Sequence, residues 1–519
     1  MARSFAVAQN YRKSAGQYDQ LIRLDPDQLA PRVERARVLY SDNQFSAART
    51  QYESILSHTP DEAIMASMTQ AIQQNPKVKA VLDPYVLAAP GGAALRQEVA
   101  RLSTTVPDPD VRIALHRLAC DYDARAAENN AVKLEMDAQE QRFVRPYTAM
   151  EMLRGSAQFE PTNTQSLFGY GQELGNRRWT NRELEAYSQV LDVDPTNRDA
   201  MVASERANAE IGPKLDGSVG YFSQRGRNGL AQIDRTRFTM AGSMPLGDEN
   251  EYLQLGYSRT ILKPTDDTAT LGSIPFLRFQ KRFWGDQMLG YGQLNIENYS
   301  KDIPTRPTFD VGAYYYWNDW ITLQYGGYLE NVLENGESIR QAIYRGGVYG
   351  GANVRPTRQW DFGGLYRYAR YSDNNDMNYF NLYNNLALTL PPKMLRLVEN
   401  VYFWGYRSGT IFPTNPPNPN DLFGAIHPYF APKAFTQAEI RLEWWHWLSR
   451  DYFVHSNQCY YSLQYGLMTD NYLETYHNLR AILNYDVCTW LTVGAEAQAQ
   501  LSTVYHMYSA MAFFQIRFR

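Results

Sequence analysis

Cysteine is scarce in this sequence, and so are the sequence motifs of catalytic, metal-binding and phosphate-binding sites. The three cysteines, Cys120, Cys459 and Cys488, are scattered and odd in number. That arrangement excludes a disulfide framework and a paired-cysteine metal site. No HExxH motif, GxSxG motif or phosphate-binding glycine loop is present. The sequence therefore predicts no metal, no cofactor and no enzymatic activity.

Histidine offers the one catalytic alternative. The seven histidines stand at no readable spacing from a nucleophile. A Ser-His pair is recognised by its geometry, however, and not by its spacing. A hydrolase built on a histidine near the late strands therefore stays open, and its candidates are His446, His455 and His477.

Long apolar runs and a strong charge of one sign are also missing. No run approaches the ~18 residues that a transmembrane helix needs. Residues 1–10 lack the apolar core of a signal peptide. The formal net charge of -4 and the absence of a basic tract predict no nucleic-acid partner.

Composition divides the chain near residue 213. Nine of the ten Trp and 29 of the 38 Tyr lie after it. Before it, prolines recur at a spacing of 34 residues, and an aromatic residue stands eight positions ahead of several of them. These positions are Tyr18 and Pro26, Tyr52 and Pro60, Tyr187 and Pro195, and Pro161. Small and bulky residues between them fit pairs of antiparallel helices that each end at a proline.

The spacing and the closing proline resemble the tetratricopeptide repeat at residues 10–75 and 145–211. Asp83-Pro84, residues 89–92 and residues 107–109 break the register between these segments, where only degenerate helix pairs fit. We therefore predict a helical repeat domain over residues 1–213, which is either a docking surface or a plain spacer. The pattern is already under way at Met1, so we expect further repeats to precede it.

From Leu215 the hydrophobic period changes from helical to two, which indicates strands. Short turn signals separate pairs of strands, and the spacing predicts sixteen strands over residues 214–519. The signals are Gly247-Asp248, Gly285-Asp286, Asn318-Asp319, Thr357-Arg358, Pro391-Pro392, Ser449-Arg450 and Tyr485-Asp486. Longer polar connections alternate with these turns, as in antiparallel membrane barrels.

The two faces of the strands predict a barrel in a bilayer. Ala438, Ile440 and Leu442 alternate with Glu439 and Arg441. A closed, even-numbered antiparallel β-barrel turns its apolar face to lipid, its polar face to a wet lumen, and leaves no unpaired edge. Six tryptophans beside the turns fit an interfacial aromatic girdle: Trp284, Trp317, Trp320, Trp360, Trp447 and Trp490.

The closing strands follow the same rule. Leu491–Leu501 and residues 510–518 present alternating apolar side chains that should touch lipid. The last strand must then pair with the first, near residues 215–222. Their polar partners should line water: Glu496, Gln498, Arg517 and Arg519.

A sixteen-stranded barrel leaves an aqueous channel. Mixed charge with aromatic rings in its lining suits a neutral or partly charged polymer that slides through. The alternative is that these residues are cross-strand ion pairs that stiffen the wall. The predicted lumen residues are Arg235, Arg237, Glu297, Tyr379, Tyr383, Glu439, Arg441, Glu443, Arg480, Glu496 and Gln498.

The longest connection, residues 408–433, is rich in proline and therefore restricted. It is either a gate that folds over or into the pore, or a plain external loop. Its candidate gating residues are Pro413, Pro416, Pro417, Pro419, His427 and Tyr429.

Helical repeats followed by a sixteen-stranded barrel resemble the outer-membrane exopolysaccharide export porins of the cellulose, poly-N-acetylglucosamine and Pel systems. Tyr429-Phe430-Ala431-Pro432 is similar to a Tyr-aromatic-Ser-Pro element of the cellulose-type members, with Ala431 in place of Ser. The resemblance implies an outer membrane of the Gram-negative type and repeats in the periplasm. It also implies that the repeats contact the polysaccharide, an inner-membrane synthase or periplasmic proteins. A general diffusion porin or an adhesin is the alternative function.

Overall fold

The computed structural model is an α + β protein, with helices before Gly212 and strands after it. It describes the chain except residues 1–4, 6–9, 25–28, 43, 45–46, 49, 52–68, 87–91, 143–144, 266, 285–286, 301–302, 358, 416–421, 450, 452 and 519. The repeat anchors Pro26, Tyr52 and Pro60 lie outside the described residues. So do both residues of the predicted turn at 285–286.

The described helices vary widely in length. No helix among the described residues is both long enough and apolar enough to cross a bilayer. The helices are α1 (Tyr11–Leu24), α2 (Leu29–Ser41), α3 (Pro76–Val86), α4 (Gly92–Thr105), α5 (Pro109–Gln141), α6 (Pro146–Phe159), α7 (Thr164–Asn176), α8 (Thr180–Val193) and α9 (Arg198–Glu210).

The last two helix pairs repeat at the predicted interval. Helices α6 and α8 begin 34 residues apart, at Pro146 and Thr180, and α7 and α9 begin 34 residues apart as well. This interval is compatible with the predicted repeat. The middle of the region differs, because α5 is one helix of 33 residues. Asp108 caps it by accepting hydrogen bonds from the next backbone amides, and Pro109 takes the first turn, where proline is favoured.

Sixteen antiparallel strands form one closed barrel in which each strand pairs with its neighbours in sequence, and β1 pairs with β16. This confirms the predicted fold class. The strands are β1 (Lys214–Gly226), β2 (Ala231–Pro245), β3 (Tyr252–Pro264), β4 (Thr270–Phe283), β5 (Met288–Tyr299), β6 (Arg306–Tyr316), β7 (Ile321–Asn331), β8 (Tyr344–Val354), β9 (Trp360–Tyr371), β10 (Asp376–Ala387), β11 (Lys393–Tyr406), β12 (Phe435–Trp447), β13 (Cys459–Asp470), β14 (Thr475–Cys488), β15 (Leu491–Leu501) and β16 (Tyr505–Arg517).

We call the end of the barrel at which β1 begins the proximal end, and the opposite end the distal end. Among the described residues, the predicted turns Gly247-Asp248, Asn318-Asp319 and Pro391-Pro392 fall in proximal connections, as do Thr357 and Ser449 of two further turns. The turn at Tyr485-Asp486 was wrong, because β14 continues to Cys488 and the chain turns at 489–490. The predicted tight turn at Ser449 is part of a longer connection, 448–458.

The exposed fractions of the side chains confirm which face of the strands points outward and which points into the lumen. On β12, Ile440 and Leu442 are 60% and 47% exposed, whereas Glu439 and Glu443 are 2% and 1% exposed. An exposed apolar face and a buried charged face fit a barrel in lipid. Five of the six predicted girdle tryptophans are exposed at or beside proximal connections: Trp284, Trp317, Trp320, Trp360 and Trp490.

The seam of the barrel closes as the alternation predicts. Val219 on β1 faces Ala512 on β16, which in turn faces Ala495 on β15, all on the apolar outer face. Arg517 ends β16 on the inner face, and Arg519 lies outside the described residues.

The chain forms two compact units. The first comprises residues 1–142 and 146–170, and the second comprises residues 143–145 and 171–519. The chain changes from helix to strand at 211–214. The second unit nevertheless includes α8 and α9 together with the whole barrel.

Candidate functional site

All eleven predicted lumen residues lie on the inner face of the barrel. The register fixes this, because residues directly opposite one another on paired strands share a face. Glu439 faces Asn400, Arg480 faces Gln498, and Arg237 lies on the same face of β2 as Arg235. The inner face groups these residues into three separate regions of the wall.

The first region is a charged row along β12. The Arg441 guanidinium lies 3.0 Å from the carboxylates of both Glu439 and Glu443. Arg396 on β11 forms a second ion pair with Glu443. Asn400 donates a hydrogen bond of 2.9 Å to Glu439. Two buried carboxylates are thus held by two arginines and an amide, which satisfies the rule that buried charges are paired.

The second region continues the row onto β14 and β15. Arg480 and Glu496 form an ion pair of 2.8 Å. Gln498 donates to Asn478 at 3.1 Å, and Asn478 donates to Glu439 at 3.0 Å. Hydrogen bonds therefore link polar side chains of β11, β12, β14 and β15.

The third region lies on the opposite wall, near the distal end. Glu297 accepts hydrogen bonds from Tyr299, Thr308 and Asn331 at 2.8 to 2.9 Å. The structure does not pair Glu297 with the nearby arginines. Arg237 donates to a threonine hydroxyl, and the Arg235 guanidinium lies 5.0 Å from the centre of a phenylalanine ring.

Tyrosines dominate the wall formed by β5 to β10. Tyr291 and Tyr349 share a hydrogen bond of 2.7 Å, and Tyr349 donates to Asp310 at 2.8 Å. Tyr383 accepts a hydrogen bond from an asparagine, and the Tyr379 ring lies 5.3 Å from the Trp404 ring. The hydroxyls of Tyr291, Tyr349 and Tyr383 are thus held by neighbours on the inner face.

Trp447 was assigned to the outer girdle, and that assignment was wrong. Glu443 points inward, and side chains two and four positions further along a strand share its face, so Trp445 and Trp447 also point inward. The Trp445 indole donates a hydrogen bond to Glu443, and both indoles pack against Tyr460. Four of the five residues from 443 to 447 are aromatic or histidine, so no polar alternation marked the face.

At the distal end, two connections fold into the mouth of the barrel. We call their described residues together the distal plug: residues 332–343, which include the short helix α10 (Gly336–Arg340), and residues 407–415 and 422–434. Ile339 of α10 is buried among side chains of β2 to β5. Asn335 donates hydrogen bonds to the carbonyls of Leu230 and Pro428, at 3.0 and 2.8 Å. One buried amide thereby joins three connections.

Tyr429 anchors the longer connection within the barrel. Its side chain is fully buried, and its ring stacks on Tyr371 with centres 4.4 Å apart. Its hydroxyl donates to Asp373 at 3.0 Å, and the Asp373 carboxylate also contacts His427 at 2.7 Å. Pro413 lies in the described part of the loop, whereas the three candidate prolines 416, 417 and 419 lie outside the described residues.

At the proximal end, α8 is bound to two barrel connections through His455. This imidazole, 8% exposed, contacts Glu183 of α8 and Glu249 of the β2–β3 connection, each at 2.8 Å. Burial opposes a charged imidazolium, but the two carboxylates outweigh it and raise the pKa of His455 to about 9. Gln172 accepts a hydrogen bond from the backbone amide of Val454 in the same connection.

Helix α9 is bound to the same rim by a buried ion cluster around Glu210. The Glu210 carboxylate lies 3.0 Å from Arg206, 2.7 Å from Lys214 at the start of β1, and 2.7 Å from Arg517 at the end of β16. Arg206 also pairs with Asp486 on β14. Burial opposes the carboxylate charge, but the three cations lower the pKa of Glu210 to about 2.

Raising the pH should loosen α8 from the rim. The folded pKa of His455 lies above its unfolded value, so its contribution is complete below pH 6.5 and is lost as the pH rises through about 9. The shift corresponds to on the order of 3 kcal/mol. We expect backbone amides at 172–183 to exchange hydrogen faster above this range, as measured by mass spectrometry with exchange times corrected for the intrinsic pH effect.

The variant His455→Gln should remove this pH dependence. His477→Gln is the matched control, because His477 lies on the outer face of β14 and contacts only a tyrosine hydroxyl in the described part of the chain. An unchanged pH profile in His455→Gln would contradict the assignment.

Within the part of the chain that the structure describes, the three histidines of the catalytic alternative contact groups other than a serine hydroxyl. His446 and His477 contact the hydroxyls of Tyr461 and Tyr465, and His455 contacts two glutamates. Among the described residues, no group of three or more His, Cys, Asp or Glu side chains has the arrangement of a metal site.

No protein-family model and no curated protein sequence matches the chain. A solved structure described as a bacterial polysaccharide outer membrane secretin is 11% identical, with 60% of this chain and 99% of that chain covered and a TM-score of 0.45. Pseudomonas aeruginosa OccK5 (OpdH) is 9% identical, with 59% and 98% covered and a TM-score of 0.31. Pseudomonas putida OprB is 9% identical, with 59% and 93% covered and a TM-score of 0.31. At these identities and TM-scores, none of the three assigns a function to this chain.

Proposed function

We propose that this chain is an outer-membrane channel that exports an extracellular polysaccharide, with its helical repeats on the periplasmic side. The observation that carries this proposal is the attachment of α8 and α9 to the proximal rim. The Glu210 and His455 clusters make the last helix pair one compact unit with the barrel. A pore for free diffusion does not need a helical domain fixed to its mouth, whereas a channel that receives a polymer does.

The lumen supports a polymer with many hydroxyl groups. The polar row across β11 to β15 supplies carboxylates, guanidinium groups and amides, and the tyrosine wall supplies aromatic faces. Sugar hydroxyls form hydrogen bonds with the polar groups, and the apolar faces of sugar rings pack on the aromatic rings. Many weak binding sites along the wall favour movement of the polysaccharide through the lumen, because no single site holds the polymer tightly.

The repeats are the proposed docking surface for the partners of export. Helical repeats present extended surfaces to peptides and proteins. An inner-membrane polysaccharide synthase or a periplasmic protein is therefore the proposed partner, with the nascent polysaccharide as cargo. The channel would act by binding and guidance, without catalysing a reaction.

Deletion of residues 1–170 tests this function. The deletion retains α8, α9 and the barrel, which form one compact unit, so the barrel should still insert. We expect extracellular polysaccharide to fall at least about tenfold in a strain whose export depends on the protein, because docking is lost. Insertion is checked by membrane fractionation and resistance to heat in detergent. Unchanged export with a normally inserted barrel would contradict the guiding role of the repeats.

The genomic neighbourhood provides an independent check. A processive glycosyltransferase encoded beside this gene is expected if the channel exports a polymer. Consistent absence of such a gene across genomes would argue for a diffusion porin.

A further inference from the structure

Three aromatic side chains form a cluster on the inner face at the proximal mouth. The Trp445 and Trp447 rings are stacked, with centres 6.0 Å apart and planes 22° apart. The Tyr460 ring on β13 lies 5.7 Å from Trp445 and 6.0 Å from Trp447. All three side chains are only partly buried, so ring surface remains open to the lumen.

The polar row fixes the orientation of this cluster. The Trp445 indole N–H donates to Glu443 at 3.1 Å, and Glu443 is itself held by Arg396 and Arg441. A ring held by a hydrogen bond to a paired carboxylate loses little entropy when a ligand binds, which favours binding. Exposed aromatic rings would otherwise be costly in a water-filled mouth, and nothing in the fold of the strand requires them there.

We propose that Trp445, Trp447 and Tyr460 form a stacking site for the pyranose rings of a β-linked polysaccharide with equatorial hydroxyl groups, at the entrance of the channel. Such rings present flat C–H faces above and below, and these faces pack on aromatic rings. Axial substituents or bent α-linkages break that surface. The inference rests on the proposed export function and specifies the cargo and its point of entry.

A second aromatic group lies toward the distal end, on the neighbouring strands β10 and β11. Trp404 on β11 stacks with Tyr402, at 5.7 Å and 26°, and contacts Tyr379 at 5.3 Å. Trp445 lies opposite Met394 on β11, so the two aromatic groups are about 30 Å apart along the strand at ~3.3 Å per residue. The charged row of Glu439, Arg441 and Glu443 lies between them. One wall thus offers aromatic faces at both ends and hydroxyl partners in the middle.

Oligosaccharide binding to the purified full chain tests the proposal. The protein is kept in an amine-oxide detergent, because glycoside detergents would compete for the site. Cellohexaose, which is β-1,4-linked, and maltohexaose, which is α-1,4-linked, are titrated by isothermal calorimetry. We expect wild-type protein to bind cellohexaose at least about tenfold more tightly than maltohexaose, since only the former has continuous flat faces.

The double variant Trp445→Ala/Trp447→Ala should lose at least about tenfold in cellohexaose affinity, because two stacking faces disappear. Trp444→Ala is the matched control: Trp444 is the neighbouring residue on the same strand but lies on the outer face, so its affinity should equal that of wild type. Trp447→Phe, which keeps an aromatic face, should recover most of the affinity lost in Trp447→Ala. Circular dichroism verifies that each barrel is folded.

Two results would overturn the proposal, and they separate it from the export function. If wild type binds cellohexaose but the double variant binds as tightly as Trp444→Ala, the stacking site is wrong while export of a sugar polymer stands. If wild type binds cellohexaose no better than maltohexaose, or binds neither, the assigned polymer class is wrong. The export function is then judged independently by the genomic neighbourhood.

Discussion

Replacing residues 409–431 with a short Gly-Ser linker should raise the single-channel conductance of the barrel at least about tenfold, because a sixteen-stranded barrel without its plug is an open aqueous channel. The replaced segment includes Tyr429, which is fully buried and stacked on Tyr371 inside the distal mouth. Its removal also takes away the carbonyl of Pro428 that Asn335 binds, and so removes one contact of the other half of the plug. Planar-bilayer recordings measure the change.

A single substitution should reproduce part of this effect. Asn335→Ala removes the buried amide that joins three connections. We expect longer or more frequent open events than in wild type, at an unchanged fully open conductance. Phe412→Ala is the control, because Phe412 is an exposed residue of the same loop. Equal conductance of wild type and the loop-replaced chain would show that the plug leaves the channel open.

Glu210→Ala should produce the largest loss of stability at the proximal rim. Three cations converge on this carboxylate: Arg206, Lys214 and Arg517. Removing one partner from a buried ion pair leaves charge uncompensated and costs about 3 to 5 kcal/mol. We expect α9 to lose protection from hydrogen exchange. Glu185→Ala is the control, because Glu185 lies exposed on α8 and carries the same charge.

Acid should weaken the same cluster. The folded pKa of Glu210 is about 2, below its ordinary value of 4.5. Its contribution is therefore complete above pH 4.5 and is lost as the pH falls toward 2. Hydrogen exchange of α9 in wild type should speed up across this range, after correction for the intrinsic rate. In Glu210→Gln the dependence should be absent, and its persistence there would contradict the role of Glu210.

The barrel was predictable from the sequence because one local rule repeats in every strand. Period-two alternation assigns each side chain to lipid or lumen independently of its neighbours. For that reason Glu439, Arg480 and Gln498 could be placed on the inner face without a structure. The rule fails where alternation disappears, as at Trp444 to Trp447, and the inward direction of Trp447 was missed.

The other features that the sequence did not predict correctly depend on contacts between residues that are distant in sequence. Asp486 resembled a turn residue, but it lies within β14, where Arg206 and Thr492 hold its carboxylate. The composition of the longest loop indicated restricted motion. Its inward fold, however, depends on Asp373 and Asn335, which belong to other connections. Local pattern carries no information about such contacts.

The cluster around Glu210 also has a consequence for assembly of the barrel. One carboxylate binds both Lys214 of the first strand and Arg517 of the last, and the backbone amide of Phe518 donates to the carbonyl of Pro213 at 2.8 Å. The contacts of Arg517 and Phe518 exist only after β1 and β16 have met. A nascent barrel with an open seam would leave Glu210 without Arg517, so the completion of this cluster marks the moment at which the cylinder closes.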